Sequence, residues 1–314
     1  MAKPKLALIP AAYGSKFYSI LPSDGVGDFD FSRSSVATRI NPEGLIESVI
    51  SGQSRLDYPL VNGVQKGCPH YLLEPSRTNL ITYSEDISQS SWVKQSSGVA
   101  SSPVVTASYG TSPNGGLNAD RVIFNIGGGS TSSDFSQIND PVTASIGDVT
   151  TSFYIKSNTT SNYTMSLVNA SGNTSNISVT TEWQRFEVNA TTTTTSASFR
   201  LRLRGSESTS DYADVLLWGA QMEVGSYATS YIPTNGTAVT RVGETANGAG
   251  DASTFNDSEG VLMAEISALV DDNTFRYISI SDGTSSNTIR LYYTSTSNSV
   301  TYQVRFGGSL EVLS

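Results

Sequence analysis

The chain has 314 residues, long enough for two or three domains, with 37% apolar residues and 15% charged residues against a usual figure of about 25%. Its formal net charge of -9 excludes a general nucleic-acid surface, which needs clustered Lys and Arg, and disfavours an anionic membrane. Cys68 and His70 are the only residues of their kinds, so neither an intrachain disulfide nor a zinc site of Cys and His ligands is available.

With so few charges, the surface must be covered by Ser, Thr and Asn. Thr favours strands, while Ser, Asn and Gly favour turns. The expected fold class is therefore all-β, with many short antiparallel strands. The opening MAKPKLALIPAAYG has a basic start, but Pro10 breaks its apolar run too early for a signal-peptide core. No 18-residue apolar segment follows anywhere, so a product made in a cytosol, without membrane insertion, is expected.

Residues 1–76 read as an extended lead-in of short pieces broken by Pro4, Pro10, Gly14 and Pro22. Asp24, Asp28 and Asp30 crowd a glycine-bearing turn and are the candidate Ca²⁺ ligands, although short Asp-Gly turns are more often ordinary turn chemistry. From Phe31 to Val49 two extended runs flank Asn41-Pro42-Glu43-Gly44, which predicts a hairpin with Gly44 in the left-handed region. RLDYPL follows at Arg55 and LLEPSRTNL at Leu72. Thr82-Tyr83-Ser84-Glu85-Asp86 predicts a capped short helix or 3-10 turn.

Period-two runs then recur at Thr151–Ser157, Tyr163–Asn169, Ser175–Thr181, Trp183–Asn189, Ser198–Arg204 and Val215–Met222. The cleanest is SFRLRLR, with Phe199, Leu201 and Leu203 on one face and Arg200, Arg202 and Arg204 on the other. Strands at this pitch indicate a β-sandwich over 77–243. Residues 244–259, rich in small and polar types, read as a linker. A third unit, 260–314, opens with GVLMAEISALV and continues with RYISISD, NTIRLYYTS and VTYQVRF. The sequence given ends in an apolar run, LEVLS. The expectation is either a longer protein or a sheet completed by another chain.

Two stretches carry a family resemblance: PHYLLEPSRTNLITYSEDISQSSWVK (Pro69 to Lys94) and LLWGAQMEVGSYATSYIPTNGTAVTR (Leu216 to Arg241). Together they resemble the brackets around a carbohydrate-binding-module-like jelly roll of bacteriophage tail and fibre proteins. The resemblance spans roughly residues 20 to 243. Residues 260–314 more weakly resemble the start of a concanavalin- or laminin-G-like sandwich. The resemblance implies a structural and adhesive virion protein, a tail, collar or head fibre. Residues 1 to about 22 would contact other virion proteins, the chain would form a homotrimer, and a host surface polysaccharide would be the ligand.

No constellation for catalysis stands out. His70 lies two residues from Cys68, too close along the chain for an attack geometry, and reads as a partly exposed loop residue. Glu85, Asp86 and Glu223 are carboxylates available in principle, but no spacing selects a facing pair for glycoside hydrolysis. Gly127-Gly128-Gly129 lacks the strand-to-helix context and basic ligand of a phosphate cradle. No enzyme activity and no cofactor are expected. Among the aromatics, Trp218 reads as core, Trp183 as packing, and Trp92 as packing its turn onto the sandwich. Tyr154, Tyr163, Arg202 and Arg204 are the candidates for an exposed sheet face, with no residue assigned to a ligand. The alternatives in other classes are a polysaccharide depolymerase component, against which the absence of a β-helix repeat weighs, and a bacterial surface glycan-binding module.

Overall fold

Short strands need partners supplied by turns, and the lead-in is built this way throughout. β1 (Ala7–Tyr13), β2 (Lys16–Leu21) and β3 (Phe29–Ser32) form an antiparallel sheet. β4 (Ala37–Ile40) and β5 (Ile46–Val49) are the expected hairpin, with Gly44 at φ +80° and its amide donating to Asn41 O. β6 (Leu56–Asp57) pairs with β9 (His70–Tyr71), and β7 (Leu60–Val61) with β8 (Val64–Gln65). β10 (Arg77–Asn79) leads into the sandwich. The computed structural model describes residues 3–61, 64–255 and 259–313.

Ten strands make the sandwich. They are β11 (Val93–Ser97), β12 (Ser101–Thr111), β13 (Leu117–Asn125), β14 (Phe135–Thr143) and β15 (Gly147–Ser157), then β16 (Tyr163–Val168), β17 (Thr174–Val179), β18 (Gln184–Thr192), β19 (Ser196–Arg204) and β20 (Tyr212–Val224). One sheet has the order β11-β14-β19-β16-β17 and the other β12-β13-β20-β15-β18, all antiparallel. The chain thus crosses repeatedly between layers, as a jelly roll does. Between the layers lies a core that includes Val122, Phe124, Phe153, Ile155, Met165, Phe199, Leu201, Leu203 and Leu217. Phe199 meets Phe153 of the opposite sheet edge-on at 5.0 Å and Trp92 at 5.1 Å. Each fully buried side chain of this kind contributes about 1.5–3 kcal/mol.

Beyond the sandwich, β21 (Val239–Arg241) pairs with β10, and β22 (Thr245–Asn247) pairs with β3. Residues 1–256 therefore form one unit, and residues 257–314 a second. Glu244 to Asn247, expected within a linker, instead close the lead-in sheet. In the second unit β23 (Arg276–Ser281), β24 (Thr288–Tyr293), β25 (Val300–Phe306) and β26 (Ser309–Leu313) form an antiparallel meander. GVLMAEISALV is not a strand. Its Val261 and Met263 are about nine-tenths exposed, so its apolar alternation finds no partner sheet among the described residues. Nor is there a helix at 82–86. Those residues are bends about a single antiparallel bridge from Tyr83 to Asn235, and buried Ser84 exchanges hydrogen bonds with Tyr231 and Thr234, which holds the backbone away from helical pairing.

The lead-in does more than precede the sandwich. Its hairpin lies on the outer face of the β12-β13-β20-β15-β18 sheet, where Ile46 joins Ala119, Leu216, Trp218 and Tyr231 in a second apolar cluster flanked by Ile40, Tyr154 and Trp183. This explains why β20 is apolar on both faces. Val215 and Leu217 point into the sandwich, while Leu216 and Trp218 point to the lead-in. At Gly219, φ is +65°, and the β15–β20 register shifts between Ser152 and Tyr154. The resulting bulge turns Ala220 and Met222 back into the core, and an L side chain at 219 would meet Tyr154 at 3.1 Å. Trp218 is accordingly buried, as its sequence suggested, but outside the sandwich interior.

A network of buried charges locks the lead-in in place. Arg33 Nη1 meets Glu244 Oε1 at 2.7 Å, and Arg55 donates from Nε to the same oxygen at 2.7 Å. The Arg55 guanidinium also bonds Glu244 Oε2, Glu74 Oε2 at 2.9 Å and Thr38 O at 2.6 Å. Glu74 accepts from Ser230 N at 2.8 Å and lies 3.5 Å from Arg241 Nη2. Burial pushes the Glu74 carboxyl up, but the cations of Arg241 and Arg55 outweigh it and hold the group below its ordinary value. Removing one partner from such a set strands a desolvated charge. Arg55→Ala should therefore lower unfolding stability by about 3–5 kcal/mol in a denaturant titration at neutral pH. A loss below about 1 kcal/mol would mean that the network does not anchor the lead-in.

Candidate functional site

With one sheet face occupied by the lead-in hairpin, the outer face of the β11-β14-β19-β16-β17 sheet is the broad polar surface of the sandwich. The alternation of β19 creates it. Phe199, Leu201 and Leu203 are fully buried inside, so Ser198, Arg200, Arg202 and Arg204 must face outward. Strand register then aligns one polar row across all five strands: Gln95, Gln137, Arg202, Ser166 and Asn176. Gln137 Nε2 donates to Gln95 Oε1 at 2.5 Å, and Ser166 Oγ to Asn176 Oδ1 at 3.0 Å. Arg202 donates to Thr174 Oγ1 at 3.2 Å and grips Glu207 through Nε at 2.9 Å and through Nη2. Glu207 belongs to the 3-10 turn Gly205–Glu207, whose carbonyl at 207 also accepts from Asn176 Nδ2 at 2.7 Å.

A neighbouring row holds Val93, Asn139, Arg200, Val168 and Thr174. Here the side chains are less satisfied. Arg200 Nη2 donates to Ser198 Oγ at 3.3 Å, whereas Arg200 Nε and the facing Asn139 Oδ1 are enclosed without a hydrogen-bond partner. Burial first, then the cations of Arg202 and Arg204, lower the pKa of Arg200. For Glu207 burial acts upward, but the hydrogen bond and charge of Arg202 keep the carboxyl below its ordinary value. Arg204 lies over the Phe135 ring at 5.4 Å and donates to Ser132 O at 2.7 Å.

Of the face candidates named from sequence, Arg202 and Arg204 are on this surface. Tyr163 is not, since it is buried in the core. Tyr154 lies on the opposite sheet, under the lead-in and 5.7 Å from the Trp218 ring. Sequence reasoning missed Gln95, Gln137, Asn139, Ser166 and Asn176, because only register brings these five into rows with β19. Trp92 packs on the core and donates to Tyr83 O at 2.9 Å, and Trp183 Nε1 donates to Thr111 O at 3.2 Å.

Away from this face, a cleft of about 370 Å³ is lined by residues that include Tyr83, Glu85, Asp86, Ser108, Asn118 and Asn235. Its acids are engaged. Glu85 accepts from Tyr231 OH at 2.9 Å and Asn118 Nδ2 at 2.7 Å, and Asp86 accepts from Ser88 and Gln89. Nearby Asp120 takes the amides of Ile87 and Ser108, and burial pushes it up to about 6. Glu223 is elsewhere, enclosed with Thr229 and Gln221.

The aspartates proposed for Ca²⁺ do not converge. Asp24 caps Val26 N, Asp28 accepts from Ser19, and Asp30 pairs with Lys16 at 2.8 Å. Among the described residues no group of three or more His, Cys, Asp or Glu side chains is placed to hold a metal. His70 is half-exposed in β9, its Nε2 3.7 Å from Asp57 Oδ2, and Cys68 is exposed.

No protein-family model matches the chain, and no curated protein does. Among solved structures it is similar to the family 11 carbohydrate-binding module of a Clostridium thermocellum cellulosomal cellulase, at 12% identity over 44% of this chain and 89% of that one, TM-score 0.29. It is similar also to a family 61 carbohydrate-binding module solved with β-1,4-galactotriose, at 15% identity over 46% and 97%, TM-score 0.32. The active domain of tailspike protein 4 of bacteriophage CBA120 matches at 13% identity over 46% of this chain but 21% of that one, TM-score 0.28. At such scores none of these proteins assigns a role to a residue of this chain.

Beneath Asn139, Asp140 points inward, 3% exposed, with Oδ2 unpartnered, and burial pushes its pKa up to about 7. The folded state thus holds a proton that the unfolded chain releases near pH 4. Stability from this group is full below that pH, falls as pH rises, and is lost through about 7. Asp140→Asn should raise stability at pH 8 by about 2–4 kcal/mol and give no gain at pH 4, measured by thermal melts at both values. An equal effect at both would show that Asp140 is ionised in the fold.

Proposed function

We propose that the chain is a glycan-binding β-sandwich protein of a bacteriophage fibre, which holds polysaccharide on the polar face of the β11-β14-β19-β16-β17 sheet. The observation that carries the binding half is the five-strand row Gln95–Gln137–Arg202–Ser166–Asn176. Gln95 and Asn176 are its exposed ends, and the buried Gln137, Arg202 and Ser166 with Glu207 hold them from beneath, so sugar hydroxyls meet groups already in place and little side-chain entropy is lost on binding. The occupied outer face of the other sheet supports the same choice. Binding without turnover is favoured, since each carboxylate oxygen of Glu85, Asp86 and Asp120 already accepts from this chain.

The virion half rests on the motif series at 69–94 and 216–241. In this reading the N-terminal segment meets other virion proteins and the second unit is the opening sheet of a concanavalin- or laminin-G-like domain. Exposed apolar residues of the lead-in strands, Ile9 and Ile20 among them, favour association between copies, and the fibre reading makes that assembly a trimer. Two measurements test the two halves. The full chain should bind glycans on an array, and Asn176→Ala, at an exposed position of the row, should weaken that binding by about 5- to 10-fold with an unchanged melting temperature. Absence of any retained glycan would overturn the binding half. Mass spectrometry of purified phage particles should find the chain, and light scattering should give three copies. A host-membrane location or a monomer would overturn the virion and trimer readings respectively.

A further inference from the structure

Resting on this reading of the same face, we propose that the bound polysaccharide is acidic, and that a sugar carboxylate seats on the Arg200 guanidinium beside Asn139. The charge arrangement on β19 motivates it. Arg200, Arg202 and Arg204 stand on one face at every second residue, about 7 Å apart, although the chain as a whole carries -9. Glu207 answers two of them, bonding Arg202 on its fork and lying 3.5 Å from Arg204. Among the described residues Arg200 has no such counter-charge. Its hydrogen bond is to the neutral Ser198 hydroxyl, and its Nε and the opposing Asn139 Oδ1 are shut away unpaired.

A half-buried cation beside two like charges is costly unless an anion completes the site. A carboxylate matches the planar guanidinium with charge-assisted bonds to its terminal nitrogens, and the amide nitrogen of Asn139 stands across the strand pair to donate to an adjacent hydroxyl. The net negative charge of the chain does not forbid this. At physiological salt, charges beyond about 8 Å are screened, whereas a contact pair on Arg200 is not.

The test uses the full chain and immobilised polygalacturonate, alginate, hyaluronate and polysialate, each beside its carboxyl-reduced neutral form, with dextran sulfate as a separate arm. One or more carboxylated polymers should bind, with their neutral forms and dextran sulfate about 10- to 100-fold weaker, the loss expected for one charge-assisted contact. Arg200→Gln should cost the same factor for the acidic polymer and leave its neutral form unchanged. Asn139→Asp, which places a carboxylate opposite Arg200, should do likewise and serves where Arg200→Gln fails to fold. Equal binding of acidic and reduced forms would overturn the inference while glycan binding stands. Dextran sulfate bound as tightly as the carboxylated polymers would overturn its carboxylate selectivity. No binding of any polymer, acidic or neutral, would remove the glycan reading and this inference together.

Discussion

Three guanidiniums and two carboxylates, all withdrawn from water, bind the start of this chain to the end of its sandwich. Arg33 and Arg55 come from the lead-in, Glu74 from its exit, and Arg241 and Glu244 from the segment that leaves the last sandwich strand. No ion pair among them joins residues close in sequence, and all but Arg55–Glu74 tie the lead-in to residues 241–244, so the network is complete only when the lead-in has docked. Each member is tolerable in the interior because the others are there, which makes docking close to all-or-none. The same contacts draw β22 back to β3, and this is why the first unit extends beyond the last sandwich strand.

Docking also divides the roles of the two sheets. The hairpin β4–β5 covers Leu216, Trp218 and Tyr154, a surface far too apolar to be left in water. The other sheet keeps an outer face of amides, hydroxyls and guanidiniums. The bulge at Gly219 serves both sides of this arrangement. Before it, β20 sends Trp218 to the lead-in, and after it the strand returns Ala220 and Met222 to the core. Gln221 and Glu223 then face outward, where Thr229 and Ile232 satisfy them.

The strands of the sandwich were legible because period-two alternation is a local property. SFRLRLR shows its inner and outer faces without reference to anything else, and the turn at Asn41–Gly44 carries its own geometry. The errors came where local preference met a distant partner. Thr82–Asp86 has the residues of a helix start, yet Ser84 is taken by Tyr231 and Thr234. Glu244–Asn247 has the composition of a linker, yet Glu244 is claimed by two arginines and Thr245–Asn247 by β3. Tyr154 and Tyr163 look alike in sequence, but one lies beneath the lead-in and the other in the core. For the candidate site, Arg202 and Arg204 could be named in advance. Gln95, Gln137 and Asn176 could not, since polar residues at strand positions are everywhere in this chain.

What the sequence by itself determined is the class of structure: antiparallel strands, an uncharged hydroxyl-rich surface, and a cationic stripe on β19. These follow from alternation and composition, which act over a few residues. Tertiary structure decided which sheet face stays exposed and which side chains join the arginines there. It also decided that one of those arginines is left without a counter-charge. Such choices depend on strand order and register between segments as far apart as Gln95 and Arg202, and on a lead-in docked through buried ion pairs. No local pattern encodes either.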